Sequence, residues 1–188
     1  MKVVQTDLPG VLLIEPAVYG DERGFFLETW SAARSASQGL PTSFVQDNLS
    51  RSSRGVLRGL HLQNPNSQGK LIHVLEGEVF DVAVDVRRGS PDFGRWVGFN
   101  LSGENHRQVY VPEGFAHGFC VLSETALFAY KCTDVYNPNA ELSVLWNDPA
   151  IGIEWPIAEP LLSSKDRNGM PLREIPAERL PSLEQCHA

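Results

Sequence analysis

The sequence predicts an all-β fold, a jelly-roll barrel in a single domain, and three observations carry that expectation. Period-2 alternation marks the middle of the chain. In Phe80-Asp81-Val82-Ala83-Val84-Asp85-Val86 the even positions are apolar and the odd ones small or acidic, the pattern of an antiparallel strand with one face on the core and the other open. Short β-rich runs of this kind recur between glycine and proline turns along most of the 188 residues. Helical periodicity is scarce, and many short strands in one domain favour a β-sandwich or barrel.

Taken in order, the runs are residues 11–19, 24–30 and 44–48, then 56–63, 70–75, 80–86 and 95–101, and finally 108–111, 115–122, 126–133 and 142–146. Turn signals separate them at Gly20-Asp21, Asn64-Pro65, Glu76-Gly77, Gly89-Ser90-Pro91, Pro112-Glu113-Gly114 and Asn137-Pro138. Ser31-Ala32-Ala33-Arg34-Ser35-Ala36-Ser37-Gln38, followed by Gly39, reads as a short helix closed by a C-terminal glycine. Residues 177–185 read as a second small helix. One domain is expected over residues 1–188, with a core at about 10–155 and a wrap of residues 156–188, richer in proline and charge, lying over it.

Apolar residues make up 42% of the chain, enough for a core that needs no disulfide or metal as a staple. Charged residues are 21%, and the 16 glycines and 13 prolines are scattered, which argues against disorder and collagen-like repetition. A net charge of −7 speaks against a nucleic-acid partner, which requires a basic balance. Cys120, Cys132 and Cys186 form an odd set without C-x-x-C spacing, so neither a disulfide framework nor a zinc knuckle is written here, and a reducing cytoplasm fits. The start of the chain carries no apolar signal-peptide region, and runs such as Val11-Leu12-Leu13-Ile14 are too short to span a bilayer, so no membrane partner is expected.

Four constellations carry possible chemistry. Arg51, Arg54, Arg58, His61 and Lys70 form a local positive cluster in an acidic chain. It reads either as a site for a phosphorylated small molecule or as a solvated face. Leu60 and Leu62 flank His61, which places its side chain opposite theirs. A regular strand would put Arg58 and His61 on opposite faces, so if both serve one site, Gly59 marks a bulge or bend. Pro112-Glu113-Gly114-Phe115-Ala116-His117 is half of the cupin signature. The other half requires a His-x-His pair, and here it is His61-Leu62-Gln63, so a cupin-like barrel without bound metal is expected. Alternation puts Phe128, Tyr130 and Cys132 on one face, giving a phenol able to donate a proton or only a packed ring. Leu162-Ser163-Ser164-Lys165-Asp166-Arg167 reads alone as an exposed loop, although a carboxylate there could orient an imidazole.

Together these segments resemble the dTDP-4-dehydrorhamnose 3,5-epimerase family, metal-free cupins acting on nucleotide-linked keto sugars. The matching stretches are Asp21-Glu22-Arg23-Gly24-Phe25-Phe26-x-Glu28, Phe44-Val45-Gln46-Asp47-Asn48-x-Ser50, Arg54-Gly55-Val56-Leu57-Arg58-Gly59-Leu60-His61-x-Gln63, Gly69-Lys70-Leu71 and Gly77-Glu78-Val79-Phe80-Asp81-Val82-Ala83-Val84-Asp85. They continue with Pro112-x-Gly114-Phe115-Ala116-His117-Gly118-Phe119, Tyr130-Lys131-x-Thr133-x-x-Tyr136 and Ser164-Lys165-Asp166. No single stretch is decisive, whereas the ordered set, reaching to about residue 170, is specific.

The resemblance implies a double-stranded β-helix, no cofactor and no metal. It implies epimerisation of a dTDP-4-keto-6-deoxy sugar at the two carbons flanking its C4 carbonyl. By the same likeness His61 is the base, Asp166 its orienting carboxylate, Tyr130 the acid on the opposite face, and Lys70 the cation facing the developing charge on O4. Arg23, Glu28, Gln46, Asp47, Asn48, Arg58, His117, Glu141 and Lys165 match substrate contacts, with Arg58 and Lys165 suited to a diphosphate and Tyr136 to stacking on thymine. A homodimer is implied in which strands near the N-terminus reach the partner, so that Arg23 and Glu28 complete the neighbouring site. Two positions depart from the pattern: Leu62 replaces an expected aromatic, and His73 an expected Arg. Relatives that invert only C3 keep the same base, acid and lysine, so C3-selective epimerisation is the alternative, and a non-catalytic sugar-binding cupin a more distant one.

Overall fold

The protein is described by a computed structural model over residues 1–186, so the last two positions of the expected 1–188 domain lie outside the described residues. Its strands are β1 (Lys2–Gln5), β2 (Leu12–Glu15), β3 (Val18–Asp21), β4 (Gly24–Leu27), β5 (Gln46–Ser53), β6 (Leu57–Gln63), β7 (Lys70–Glu76) and β8 (Glu78–Asp85), followed by β9 (Trp96–Ser102), β10 (Gln108–Val111), β11 (Phe115–Val121), β12 (Thr125–Cys132) and β13 (Glu141–Ser143). Two short helices, α1 (Ala32–Ser37) and α2 (Ser164–Arg167), and three 3₁₀ turns complete it.

Every strand pairing in the sheets is antiparallel, in the orders β1-β2-β10-β7-β12-β5 and β13-β6-β11-β8-β9, with β3-β4 a separate hairpin. The two large sheets face one another across a core of Ile72, Val74, Val79, Ala83, Leu101, Phe115, Phe119 and Phe128. This is the jelly-roll barrel that the alternation predicts, of the cupin type that the Pro112–His117 motif and the resemblance imply. Residues 108–111 coincide with β10, and most other expected runs meet their strands within two residues. Among the described residues no helix is long and apolar enough to cross a membrane.

The sequence misjudged one face. The side of β8 expected to be open, Asp81, Ala83 and Asp85, is fully buried, and Ala83 faces the opposite sheet. The expected core side, Val82 and Val84 with Val86 just beyond the strand, packs with Leu60, Leu142, Leu172, Ile175 and Leu180 in a second core, built where the C-terminal segment lies on the five-stranded sheet. A third cluster, with Leu40, Trp30 and Phe44 on Leu12, Ile14 and Leu71, covers part of the other sheet's outer face. The expected helix at 177–185 is instead two 3₁₀ turns, Ala177–Arg179 and Glu184–Cys186. Pro181 stands between them and lacks the N–H that a continuous helix requires. β1 was absent from the expectation, and β5 runs five residues past its expected end at Asn48.

Candidate active site

The site is a cleft of about 360 Å³ between the two sheets, lined by Asn48, Ser50, Arg58, His61, Gln63, Gln68, Lys70, His117, Phe119, Phe128, Tyr130, Tyr136, Glu141 and Lys165. A larger hollow of about 440 Å³ lies between Phe93, Trp96, Ile151 and Leu172. Its polar side chains, Arg95 and Arg173, supply no proton acceptor, so the chemistry belongs to the first cleft.

β6 reaches that cleft through a bulge. His61 is opposite His117 and Arg58 opposite Phe119, so three steps on β6 face two on β11. Gly59 sits within the bulge at φ +135°, and a Cβ there would stand 2.5 Å from the Gly118 Cα. The extra residue turns Arg58 and His61 to the same side, as the sequence requires if both serve one site.

His61 Nε2 lies 2.6 Å from Asp166 Oδ1, which also accepts the Gly59 backbone N–H at 3.3 Å. With Nε2 occupied, Nδ1 is the nitrogen left to accept a proton. Burial lowers the His61 pKa below its ordinary 6.5, with the nearby ammonium groups of Lys165 and Lys70 acting the same way and Asp166 opposing them. The imidazole is therefore neutral near pH 7. Burial pushes the Asp166 carboxyl up, but hydrogen bonds from His61, Ser163 and Gly59 outweigh it and hold it below 3.8. Asp166 is 2% exposed, so the stretch that read as an open loop is a helical turn, α2, whose carboxylate points inward.

Lys70 opens β7 and pairs with Cys132 across the sheet. Its ammonium is buried and reaches the His61 carbonyl at 3.5 Å, and burial lowers its pKa below 10.5. Among the described residues it forms no ion pair, which leaves its charge available to a ligand. Tyr130 extends from β12, on the wall facing β6, and touches Phe128 at 5.9 Å between ring centroids. Burial raises its pKa above 10.0, so its phenol remains a proton donor. His117 Nε2 lies 2.8 Å from Asp81 Oδ2, making a second imidazole–carboxylate pair at the cleft floor.

The outer end of the cleft is polar. Lys165 Nζ donates to Glu141 Oε1 at 2.7 Å, and the Tyr136 hydroxyl donates to Glu141 Oε2 at 3.1 Å. The Tyr136 backbone N–H donates to Gln46 Oε1, and Gln46 Nε2 donates to Asn48 Oδ1 at 3.0 Å. Arg58 donates through Nε to Ser52 Oγ at 3.2 Å and keeps its guanidinium in the opening. Gln63, at the position of the absent second histidine, spends its amide on Asn66 O, Val135 O and the Asn137 N–H, so it fixes the rim loops.

Gln46 stands behind the lining, holding Asn48 and Tyr136, and three further expected contacts lie outside this cleft altogether. Asp47 alternates with Gln46 and Asn48, faces the sheet's outer side and pairs with Lys131 at 3.0 Å. Arg23 pairs with Asp21 at the tip of the β3-β4 hairpin, and Glu28 with Arg34 at 3.2 Å. Both departures from the family pattern also point elsewhere: the Leu62 side chain is in the second core, and His73 lies on the outer face beside Asp47 and Lys131. Sequence reading missed Asp81 as the partner of His117, although its acidic position in an apolar strand was visible. It also missed Phe119 and Phe128, stacked 3.9 Å apart as the apolar floor.

The chain matches the family model for dTDP-4-dehydrorhamnose 3,5-epimerase over residues 5–174. A dTDP-4-dehydrorhamnose 3,5-epimerase of Pseudomonas aeruginosa is 58% identical over 171 residues, covering 90% of this chain and 94% of that protein. A crystal structure of dTDP-6-deoxy-D-glucose-3,5-epimerase from Legionella pneumophila, in complex with dTDP-4-keto-L-rhamnose, superposes with a TM-score of 0.94 at 55% identity, covering 96% of this chain and 97% of that one. A 3′-monoepimerase from Streptomyces bikiniensis in complex with dTDP-quinovose superposes with a TM-score of 0.87 at 36% identity, over 96% and 93% of the two chains. With a family match across most of its length and relatives above half identity, the chain belongs to the dTDP-4-dehydrorhamnose 3,5-epimerase family.

Proposed function

We propose that the protein epimerises dTDP-4-dehydro-6-deoxy-D-glucose at C3 and C5 to dTDP-4-dehydro-L-rhamnose. The observation that carries this is the placement of a neutral imidazole on β6 and a protonated phenol on β12, on facing walls of one cleft. C3 and C5 both flank the C4 carbonyl, so a proton lost from either carbon leaves an enolate delocalised onto O4. His61 Nδ1 takes that proton, and Asp166 steadies the imidazolium that results. Lys70 supports the charge growing on O4 with a cation already stripped of water. Tyr130 returns a proton from the opposite side, which inverts the centre, and solvent resets both groups before the second carbon is turned over.

The polar end of the cleft suits the nucleotide. Arg58 and Lys165 meet the diphosphate, with Lys165 exchanging its Glu141 partner for phosphate oxygens, and the exposed ring of Tyr136 offers a stacking face for thymine. Gln46, Asn48, His117 and Glu141 complete the contacts. The overall charge of −7 does not oppose an anionic ligand, because the local cations dominate within a screening length of about 8 Å.

The working form is a homodimer in the cytoplasm. Tyr19 and Phe26, cross-strand partners on one face of the β3-β4 hairpin, are 64% and 70% exposed, and Phe25 on its other face is 62% exposed, apolar surface that a lone chain rarely leaves open. Pairing this hairpin with a second copy covers it and carries Arg23 and Glu28 towards the partner's cleft.

The reaction is tested by supplying dTDP-4-keto-6-deoxyglucose and capturing the product with an NADPH-dependent 4-ketoreductase. An L-configured 6-deoxy sugar is expected. A D-configured product inverted only at C3 would replace the reading with monoepimerisation, the activity of the 3′-monoepimerase from Streptomyces bikiniensis.

A further inference from the structure

We propose that Ser163 is a positioning residue for the base, acting through Asp166; this rests on the epimerase reading of the cleft. Ser163 caps α2: its Oγ accepts the Asp166 backbone N–H at 3.2 Å and donates to Asp166 Oδ2 at 2.7 Å. The pattern Ser163-x-x-Asp166 is that of a capping box, in which the fourth residue's side chain ordinarily turns back to the cap's N–H. Here the carboxylate is divided differently. Oδ2 goes to the cap hydroxyl, and Oδ1 is left for His61 Nε2 at 2.6 Å and the Gly59 N–H at 3.3 Å.

A carboxylate rotates readily about its last side-chain bond, and only one orientation serves an imidazole. In an open loop, water would share the work. Asp166 is 2% exposed, so protein donors must hold the plane of the group, and among the described residues Ser163 supplies the only hydrogen bond to Oδ2. The same turn carries Lys165, whose ammonium reaches the cleft mouth. Ser163 thus has two separable duties, capping the turn that displays Lys165 and aiming the carboxylate that holds His61.

The test compares Ser163→Ala and Ser163→Thr with the wild-type protein, reading kcat for epimerisation, the dissociation constant for dTDP, and the low-field proton resonance of His61 Nε2–H, assigned by its loss in His61→Ala. Loss of one hydrogen bond to a buried charge predicts a fall in kcat of about 10- to 100-fold in Ser163→Ala. The dTDP dissociation constant is expected to stay close to wild type, the His61 resonance to broaden or vanish, and Ser163→Thr to restore both. Unchanged kcat and an unchanged resonance in Ser163→Ala would overturn the proposal. So would a loss of dTDP affinity as large as the loss of kcat, because that reports collapse of the turn. If the wild-type protein fails to turn over the sugar, the epimerase reading falls, while the His61 resonance in the two variants still decides the role of Ser163.

Discussion

At the scale of single residues, the division of labour between His61 and Tyr130 sets the clearest expectations. His61→Ala and Tyr130→Phe should each lower kcat by about 10²- to 10⁴-fold, the usual worth of a positioned base or acid, with little change in dTDP binding. Steady-state turnover alongside calorimetric titration with dTDP checks both halves. Lys70→Met removes a buried cation facing O4 and should cost about 10²- to 10³-fold in kcat. The pH profile follows from the same groups. Burial places the His61 pKa below 6.5, so activity holds as pH falls to that value and is lost below it, when the imidazolium can no longer accept a proton. On the alkaline side Lys70 loses its charge below 10.5, while Tyr130 keeps its proton above 10.0. With Lys70 shifted down and Tyr130 shifted up, the alkaline limb is expected to come from Lys70, and a kcat/KM profile of Lys70→Met should then lack it.

At the scale of elements, the bulge in β6 is what brings Arg58 and His61 to one cleft. Gly59→Ala should destabilise the protein by at least about 1–3 kcal/mol, since the new Cβ meets the Gly118 backbone at 2.5 Å and the residue's φ is +135°. A urea unfolding curve reads the loss directly, and an unshifted midpoint would contradict the role given to the bulge. This device was legible in the sequence as a conflict: Arg58 and His61 three residues apart could share a face only if Gly59 broke the period. Elsewhere the function of the site hid the element. β5 turns Gln46, Asn48, Ser50 and Ser52 inward and Leu49 outward, because its inner face lines a polar cleft, and the usual apolar-in alternation fails there. α2 was unreadable for another reason. Four residues carry no periodicity, and only its contact with β6 across more than a hundred positions makes Asp166 an interior group.

At the scale of the whole molecule, the second core explains both a misreading and a dependence. The apolar even positions of β8 face the C-terminal segment, while the odd positions read as open, Asp81 and Ala83, face the opposite sheet, and alternation along one strand does not reveal which side another segment will cover. The exposed hairpin carries the assembly prediction. Phe26→Asp should shift the protein from dimer towards monomer in sedimentation equilibrium and lower kcat/KM with it, because Arg23 and Glu28 then serve no neighbouring cleft. A variant that stays dimeric, or a monomer with full activity, would contradict that arrangement. The facing of two sheets, with base on one and acid on the other, is the central claim, and proton NMR in D₂O of dTDP-4-keto-6-deoxyglucose, following C3 and C5 separately, tests it most directly. Deuterium should enter at both carbons with the wild-type protein, enter without inversion in Tyr130→Phe, and enter at neither in His61→Ala. Undiminished exchange in His61→Ala, or inversion persisting in Tyr130→Phe, would show that the two walls do not hold the roles assigned to them.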